Sequence, residues 1–182
     1  MKIKLANVRL AFPALFEAKT VNGEGKPAFS ATLLIEASDK QIAMINAAIE
    51  TVASEKWGAK AAAMLTTMRK ADKVALHDGD TKAQYSGFEG CMFISARNPI
   101  RPLVINSDKT PLTAQDGKPY AGCYVNASVE LWAQDNSYGK RVNATLMGVQ
   151  FARDGDAFSG GGVADEDEFD DVTAGSTADD LA

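Results

Sequence analysis

"CYVNASVELWAQ" (residues 123–134) and "KRVNATLMGVQFAR" (140–153) are the longest strand-like stretches of this 182-residue chain, and "DNSYG" (135–139) joins them as a turn. In the first, Cys123, Val125, Ala127, Val129 and Leu131 fall on one side at a period of two. Tyr124, Asn126, Ser128, Glu130 and Trp132 fall on the other. Strict alternation of this kind marks a strand with one face on a core and one toward solvent. "CMFISARN" (91–98) repeats the pattern, with Met92, Ile94 and Ala96 as the core face and Phe93, Ser95 and Arg97 as the outer face. "KIKLANVRL" (2–10) alternates as well. The chain returns through the turn "VNGEGK" as "PAFSATLLI" (27–35), so 2–35 is expected to be a long antiparallel pair with a kink or bulge near Pro13.

One region breaks the β pattern. In "SDKQIAMINAAIETVASEKWG" (38–58), Ile42, Ile45, Ile49 and Val52 recur at helical spacing. Ser38 and Gln41 are spaced as a capping box, and Gly58 stands where the helix should stop. "AKAAAMLTTMRK" (59–70) reads as a second helical piece with Met64, Leu65 and Met68 as its stripe. Residues 74–90 read as a short strand and a loop, and 99–122 as a long excursion punctuated by Pro, Asp and Gly. Two strands, a helical insertion and at least three further strands give a mainly β fold. Five principal strands with an insertion after the second suit an OB-type antiparallel barrel better than a seven-stranded sandwich.

Charge divides the chain in two. Residues 154–182 hold ten of the 24 acidic residues and none of the 19 basic ones, which leaves 14 acids against 19 bases over 1–153. A domain over 1–153 and a disordered acidic tail over 154–182 are expected, since such a tail repels itself and buries almost nothing. A basic body beside an acidic tail points to a polyanionic partner, with the tail competing for the same surface. Cys91 and Cys123 have no CxxC spacing and read as reduced strand residues of a cytoplasmic protein. No apolar run approaches the roughly 20 residues that span a bilayer, and the alternating N-terminus is unlike a signal peptide, so no membrane partner is expected.

Catalytic signatures are sparse. There is no P-loop, GxSxG or dinucleotide fingerprint. His77, Asp78 and Asp80 in "HDGD" are the one candidate metal set, and D-G-D is also an ordinary turn. The strand faces say more. Phe93, Tyr124 and Trp132 lie on outer faces among polar residues, where nucleobases would cover them at about 1–3 kcal/mol per stacked base. Packing under loops or under the helical insertion would cover the same rings equally well. Arg97, Arg101, Lys109, Lys118, Lys140 and Arg141, with Tyr120, fall in the same part of the sequence. Cations interleaved with aromatics are what a groove needs to track a phosphate backbone and stack its bases.

Two stretches carry a family resemblance over essentially the whole chain: "NVRLAFPALFEAKTVNGEGKPAFSATLLI" (7–35) and "YAGCYVNASVELWAQDNSYGKRVNATLMGVQFARDGDAFSGG" (120–161). The chain resembles the phage-encoded single-stranded DNA-binding proteins with an OB fold and an acidic C-terminal tail, as found in an Enterobacter phage. The resemblance implies a non-enzymatic protein of the infected host cell's cytoplasm. It would coat exposed single strands during phage DNA replication or recombination, without a cofactor or a metal. It also implies recruitment of phage or host replication proteins through the tail, here Asp165, Glu166, Asp167, Glu168, Phe169, Asp170 and Asp171. Similar proteins end in an aromatic residue after the acids, whereas this chain ends Asp179-Asp180-Leu181-Ala182 with Phe169 inside the acidic run. The readings that compete are a metal-dependent nuclease working through Asp78, Asp80 and His77, and an acidic-tailed adaptor that binds no DNA. Whether the protein is a homodimer is open.

Overall fold

The alternation in 123–153 is realised as two long paired strands. The computed structural model describes residues 1–21 and 23–158. Among them the chain forms β1 (Lys2–Val21), β2 (Glu24–Glu36), α1 (Gln41–Trp57), α2 (Ala61–Lys70), β3 (Leu76–Asp78), β4 (Cys91–Asn98), β5 (Leu103–Ile105), β6 (Tyr124–Asn136) and β7 (Gly139–Arg153). β1 pairs antiparallel with β2 and β6, β2 with β4, and β6 with β7. A parallel bridge from Arg97 of β4 to Thr145 of β7 closes the ring. The result is an OB-type five-stranded barrel with the helices inserted after β2. β3 and β5 extend it as short edges on β4 and β7. β5 lies inside the excursion read as loop. Three residues flanked by Pro99, Pro102 and an Asn-Ser-Asp turn are too few to show a period.

Cys123, Val125, Ala127, Val129 and Leu131 are all buried, as their alternation predicts. On β7 the inward set is Val142, Ala144 and Leu146, then Val149 and Phe151. The step of three follows a register shift opposite Ser128–Val129, a β-bulge that inserts one residue. β1 carries the expected irregularity at Pro13, with its register against β2 slipping between Ala11 and Ala14. The helices join the same core. Ile45, Ile49 and Val52 of α1 and Leu65 and Met68 of α2 pack with Leu5, Leu33, Ile94 and Leu146. No helix among the described residues is long and apolar enough to cross a membrane.

The helix start departs from expectation. Ser38 does not cap α1. Helical geometry begins at Gln41, and it is Asp39 whose carboxylate accepts the Gln41 N–H at 2.8 Å. Asp39 stands one residue nearer the first turn and brings a full negative charge to the positive helix end. Gln41 itself reaches β1. Its Oε1 accepts the Ala6 N–H at 2.7 Å, and its Nε2 donates to the Ala6 carbonyl at 2.9 Å. This side chain pairs with a strand backbone as a neighbouring strand would.

The body also continues past Arg153. Residues 154–158 run back along the barrel as a strap. Arg9 Nη2 donates to the Asp156 carbonyl at 2.7 Å, and the Phe158 N–H donates to the Ala121 carbonyl at 3.1 Å. Gly122, at φ +103°, lets the strap approach, because a Cβ there would overlap the Asp156 carbonyl. The expected tail residues Asp165, Glu166, Asp167, Glu168, Phe169, Asp170 and Asp171 lie outside the described residues.

In denaturant unfolding, Gln41→Ala is expected to lose about 1–2 kcal/mol, from the two bonds to Ala6. Ser38→Ala is expected to stay within about 0.5 kcal/mol of the parent. A larger loss for Ser38→Ala would restore it as the cap.

Candidate nucleic-acid interface

The bridge that closes the barrel also places the site. Outer-face residues of β4, β6 and β7 surround a cleft of about 620 Å³ over the β4–β7 seam. Arg97 comes from β4, Trp132 from β6 and Arg141 from β7, and Lys26 at the start of β2 and His77 of β3 complete the polar rim. Trp132 remains 43% exposed. Its Nε1–H donates to Thr145 Oγ1 at 3.0 Å, which holds the ring across β7. Strand alternation brings these residues to one side, and closure brings the three strands together.

Arg97 borders a second cleft of about 840 Å³. Lys19, Phe12, Tyr85, Phe88, Tyr120 and Phe158 line it with Arg97. Among the described residues, neither cleft is lined by an Asp or a Glu. Elsewhere acids are close at hand: a smaller cavity beside Tyr124 has Glu36 and Asp39 on its wall, and a groove along α2 has Asp135. Among the described residues the two clefts, which share Arg97, therefore present Lys19, Lys26, Arg97 and Arg141 with no lining carboxylate, a surface that attracts polyanions.

Of the residues singled out in the sequence, Arg97, Trp132 and Arg141 come together. Tyr120 belongs to the second cleft, but its hydroxyl donates to Asp154 Oδ1 at 2.7 Å and accepts the Gly155 N–H at 3.2 Å. That bond to Asp154, and secondly burial, pushes the phenol above its ordinary pKa. Phe93 is not an exposed platform. It is 7% exposed and lies beneath Phe88, whose ring centroid is 5.2 Å away. Residues 79–90 fold over the outer face of β4, and Phe88, Phe93, Leu34 and Ala11 make a second small core there. Tyr124 lies outside both clefts, with Arg153 Cζ 3.6 Å from its ring centroid and Arg9 Cζ at 5.8 Å. Lys118 sits over the Phe151 ring at 4.8 Å, and Arg101 donates to the Phe16 carbonyl at 3.0 Å. Neither they nor Lys109 and Lys140 line the clefts.

The metal set does not converge. Asp78 accepts the Asp80 N–H at 2.9 Å, Asp80 accepts the Gly90 N–H at 2.8 Å, and His77 Nδ1 lies 2.6 Å from Asp72 Oδ1. Among the described residues no group of three or more His, Cys, Asp or Glu is placed to hold a metal ion. Both cysteines are free. Burial raises their pKa values, that of Cys123 to about 11.

Phe12, Tyr85, Lys19 and Lys26 were not legible from strand patterns. Phe12 sits in the β1 bulge, where alternation fails. Tyr85 sits in a loop, and the two lysines flank a turn.

A sequence model of the family described as "Enterobacter phage Enc34, ssDNA-binding protein" matches residues 1–182. A protein designated p50 from Acyrthosiphon pisum secondary endosymbiont phage 1 is 52% identical over 176 residues, covering 95% of each chain. The structure of the single-stranded DNA-binding protein from bacteriophage Enc34 in complex with ssDNA superposes with a TM-score of 0.72 at 28% identity, covering 86% of this chain and 88% of that one. The single-stranded DNA-binding protein gp2.5 of bacteriophage T7 shares the fold, with a TM-score of 0.59 at 12% identity over 90% of this chain and 97% of that one.

The raised phenol of Tyr120 gives a pH test. Its contribution to holding the strap is complete below about pH 10, the ordinary phenol value, and is lost as pH rises through the raised value. Tyr120→Phe is expected to remove a high-pH component from the phenolate absorbance titration and to speed proteolysis at 154–158. Loss of a component that titrates at the ordinary phenol value instead would mean that Tyr120 is not bonded to Asp154.

Proposed function

The chain belongs to the family of the Enterobacter phage Enc34 ssDNA-binding protein, and on that premise we propose that it binds single-stranded DNA without sequence preference along the seam of β4 and β7. The observation that carries this reading is the surface in which Arg97, Arg141 and Lys26 surround the exposed ring of Trp132, with no carboxylate lining it among the described residues. The cations neutralise phosphates and release condensed counterions, so affinity falls with salt. Trp132 offers a face to any base, because every base has a π-face. Bases within a duplex are already stacked on one another, which favours a single strand at the ring. None of these steps makes or breaks a covalent bond, so the protein protects exposed strands during phage replication or recombination and is not an enzyme.

Residues 159–182 act as a competing polyanion. Phe158 lines the second cleft, and the acids that follow are attached at its rim. Only six residues lie between Phe158 and Asp165 in the sequence. DNA displaces the tail from the cations. The displaced stretch Asp165–Asp171, which includes Phe169, is then free to dock replication proteins of the phage or its host. The binding body accordingly comprises residues 1–158, with the strap included.

The test is a fluorescence titration with oligo(dT) across salt concentrations, comparing the full chain with one ending at Phe158. Affinity is expected to fall linearly on logarithmic axes as salt rises, and truncation to strengthen binding at low salt. Trp132→Ala is expected to lose about 1–3 kcal/mol of binding and most of the quenching. Arg97→Ala is expected to lower the salt slope by about one. Binding that ignores salt, or none at all, would overturn the reading.

A further inference from the structure

We propose that the second cleft is a second base-stacking site, formed by Phe12 and Tyr85, and that one strand passes from Trp132 across Arg97 into it. This rests on the single-strand reading and extends it by assigning a subsite to residues outside the seam.

Phe12 and Tyr85 come from distant segments and meet at the surface. They are 56% and 44% exposed, and their ring centroids are 5.1 Å apart with the planes nearly perpendicular. Large aromatic surface left in water at two converging positions marks a recognition site more than a packing remainder. Phe12 also holds a left-handed backbone, at φ 45°. This region is uncommon for a bulky residue and persists where surrounding structure enforces it. The bulge between Ala11 and Ala14 does so here, and it aims the ring outward. The ring meets the second core only at its margin, with its centroid 6.0 Å from that of Phe88, and most of it is left to the surface.

The platform is built rather than loose. Phe88, three residues past Tyr85, is buried against Phe93, Leu34 and Ala11. Behind the loop, Phe158 packs so closely on Gly87 that a Cβ there would stand 2.5 Å from its ring. The Phe158 ring is held in turn by Arg9, with Cζ 4.3 Å from its centroid. A preformed platform loses little freedom on binding.

Charge supplies the continuity. Lys19 and Arg97 line this cleft, no carboxylate among the described residues does, and Arg97 lines the Trp132 cleft as well. A phosphate on Arg97 therefore has one base site on each side. The ligand is a run of single-stranded nucleotides, recognised by stacking and by backbone charge. A duplex offers no free base face to the rings.

The experiment measures binding of oligo(dT) strands of about four and about twelve nucleotides, within the usual span of such sites, to the parent, Phe12→Ala, Tyr85→Ala and Phe12→Tyr. Each protein is used as the full chain and as the chain ending at Phe158. The parent is expected to gain affinity on the longer strand, the two alanine variants to lose roughly 5- to 150-fold of it, and Phe12→Tyr to retain it. Photo-crosslinking of 4-thiothymidine strands to the unaltered protein gives a readout that no misfolded variant can mimic, and adducts are expected on the peptides carrying Phe12 and Tyr85. Parental affinity for Phe12→Ala and Tyr85→Ala, with Trp132→Ala still impaired, would overturn the second site and leave the single-strand reading standing. A loss confined to the full chain would assign the cleft to the tail and also overturn the proposal. No binding by the parent at either length would overturn both readings.

Discussion

The parallel pairing of Arg97 with Thr145 is the contact on which the rest of the structure depends. Without it, the strands would form an open sheet, with β4 and β7 covered at its two ends only by the three-residue strands β3 and β5. Closure joins those two ends at Arg97 and Thr145 and encloses the core that Leu33, Ile94, Leu131 and Leu146 fill. The same pairing fixes which way Arg97 points. In a strand, successive side chains face opposite sides, so Ile94 and Ala96 turned inward require Arg97 turned outward. The residue that closes the barrel thereby stands at the junction of the two clefts.

Outside the barrel a second layer follows from the same alternation. The outer face of β1, β2 and β4 offers Ala11, Leu34 and Phe93, too apolar to be left wet. Residues 79–90 fold back and lay Phe88 on them, and the strap adds Phe158. Rings then follow one another from His77 to Phe93, Phe88, Tyr85 and Phe12, with neighbouring centroids 5.0–5.6 Å apart. The inner members of this series stabilise the cover, and the outer members stay accessible. Packing and recognition are thus two ends of one aromatic cluster. The strap matters for the same reason: it backs the loop that displays Tyr85, and it is also the root of the acidic segment.

How much of this was legible depends on how local the signal was. The core faces of β4 and β6 were readable residue by residue, because burial of one face imposes a period of two. The stripes of α1 and α2 were readable because burial of a helix imposes a period of 3.6. Phe93 was misjudged for a definite reason. Alternation identifies the outer face of a strand, but whether that face is wet depends on a loop whose path has no period. Ser38 was misjudged because Asp39, one residue on, competed for the same donors. Tyr124 was correctly placed on the outer face, yet Arg9 and Arg153 cover its ring from positions remote in sequence.

By itself, then, the sequence determined the element types, the five-strand barrel with its insertion, the charge division and the family. These rest on spacing, composition and motif, which are properties of neighbours along the chain. Only the tertiary structure decided which outward residues share a surface. Arg97, Trp132 and Arg141 come from three strands and meet because the barrel closes. Phe12 and Tyr85 meet because a bulge and a folded loop converge, and Asp154 to Phe158 are held by Arg9, Tyr120 and Gly122. Contacts between segments so far apart in the chain leave no periodic trace in it, since the energy that selects them belongs to the assembled core and not to any one stretch.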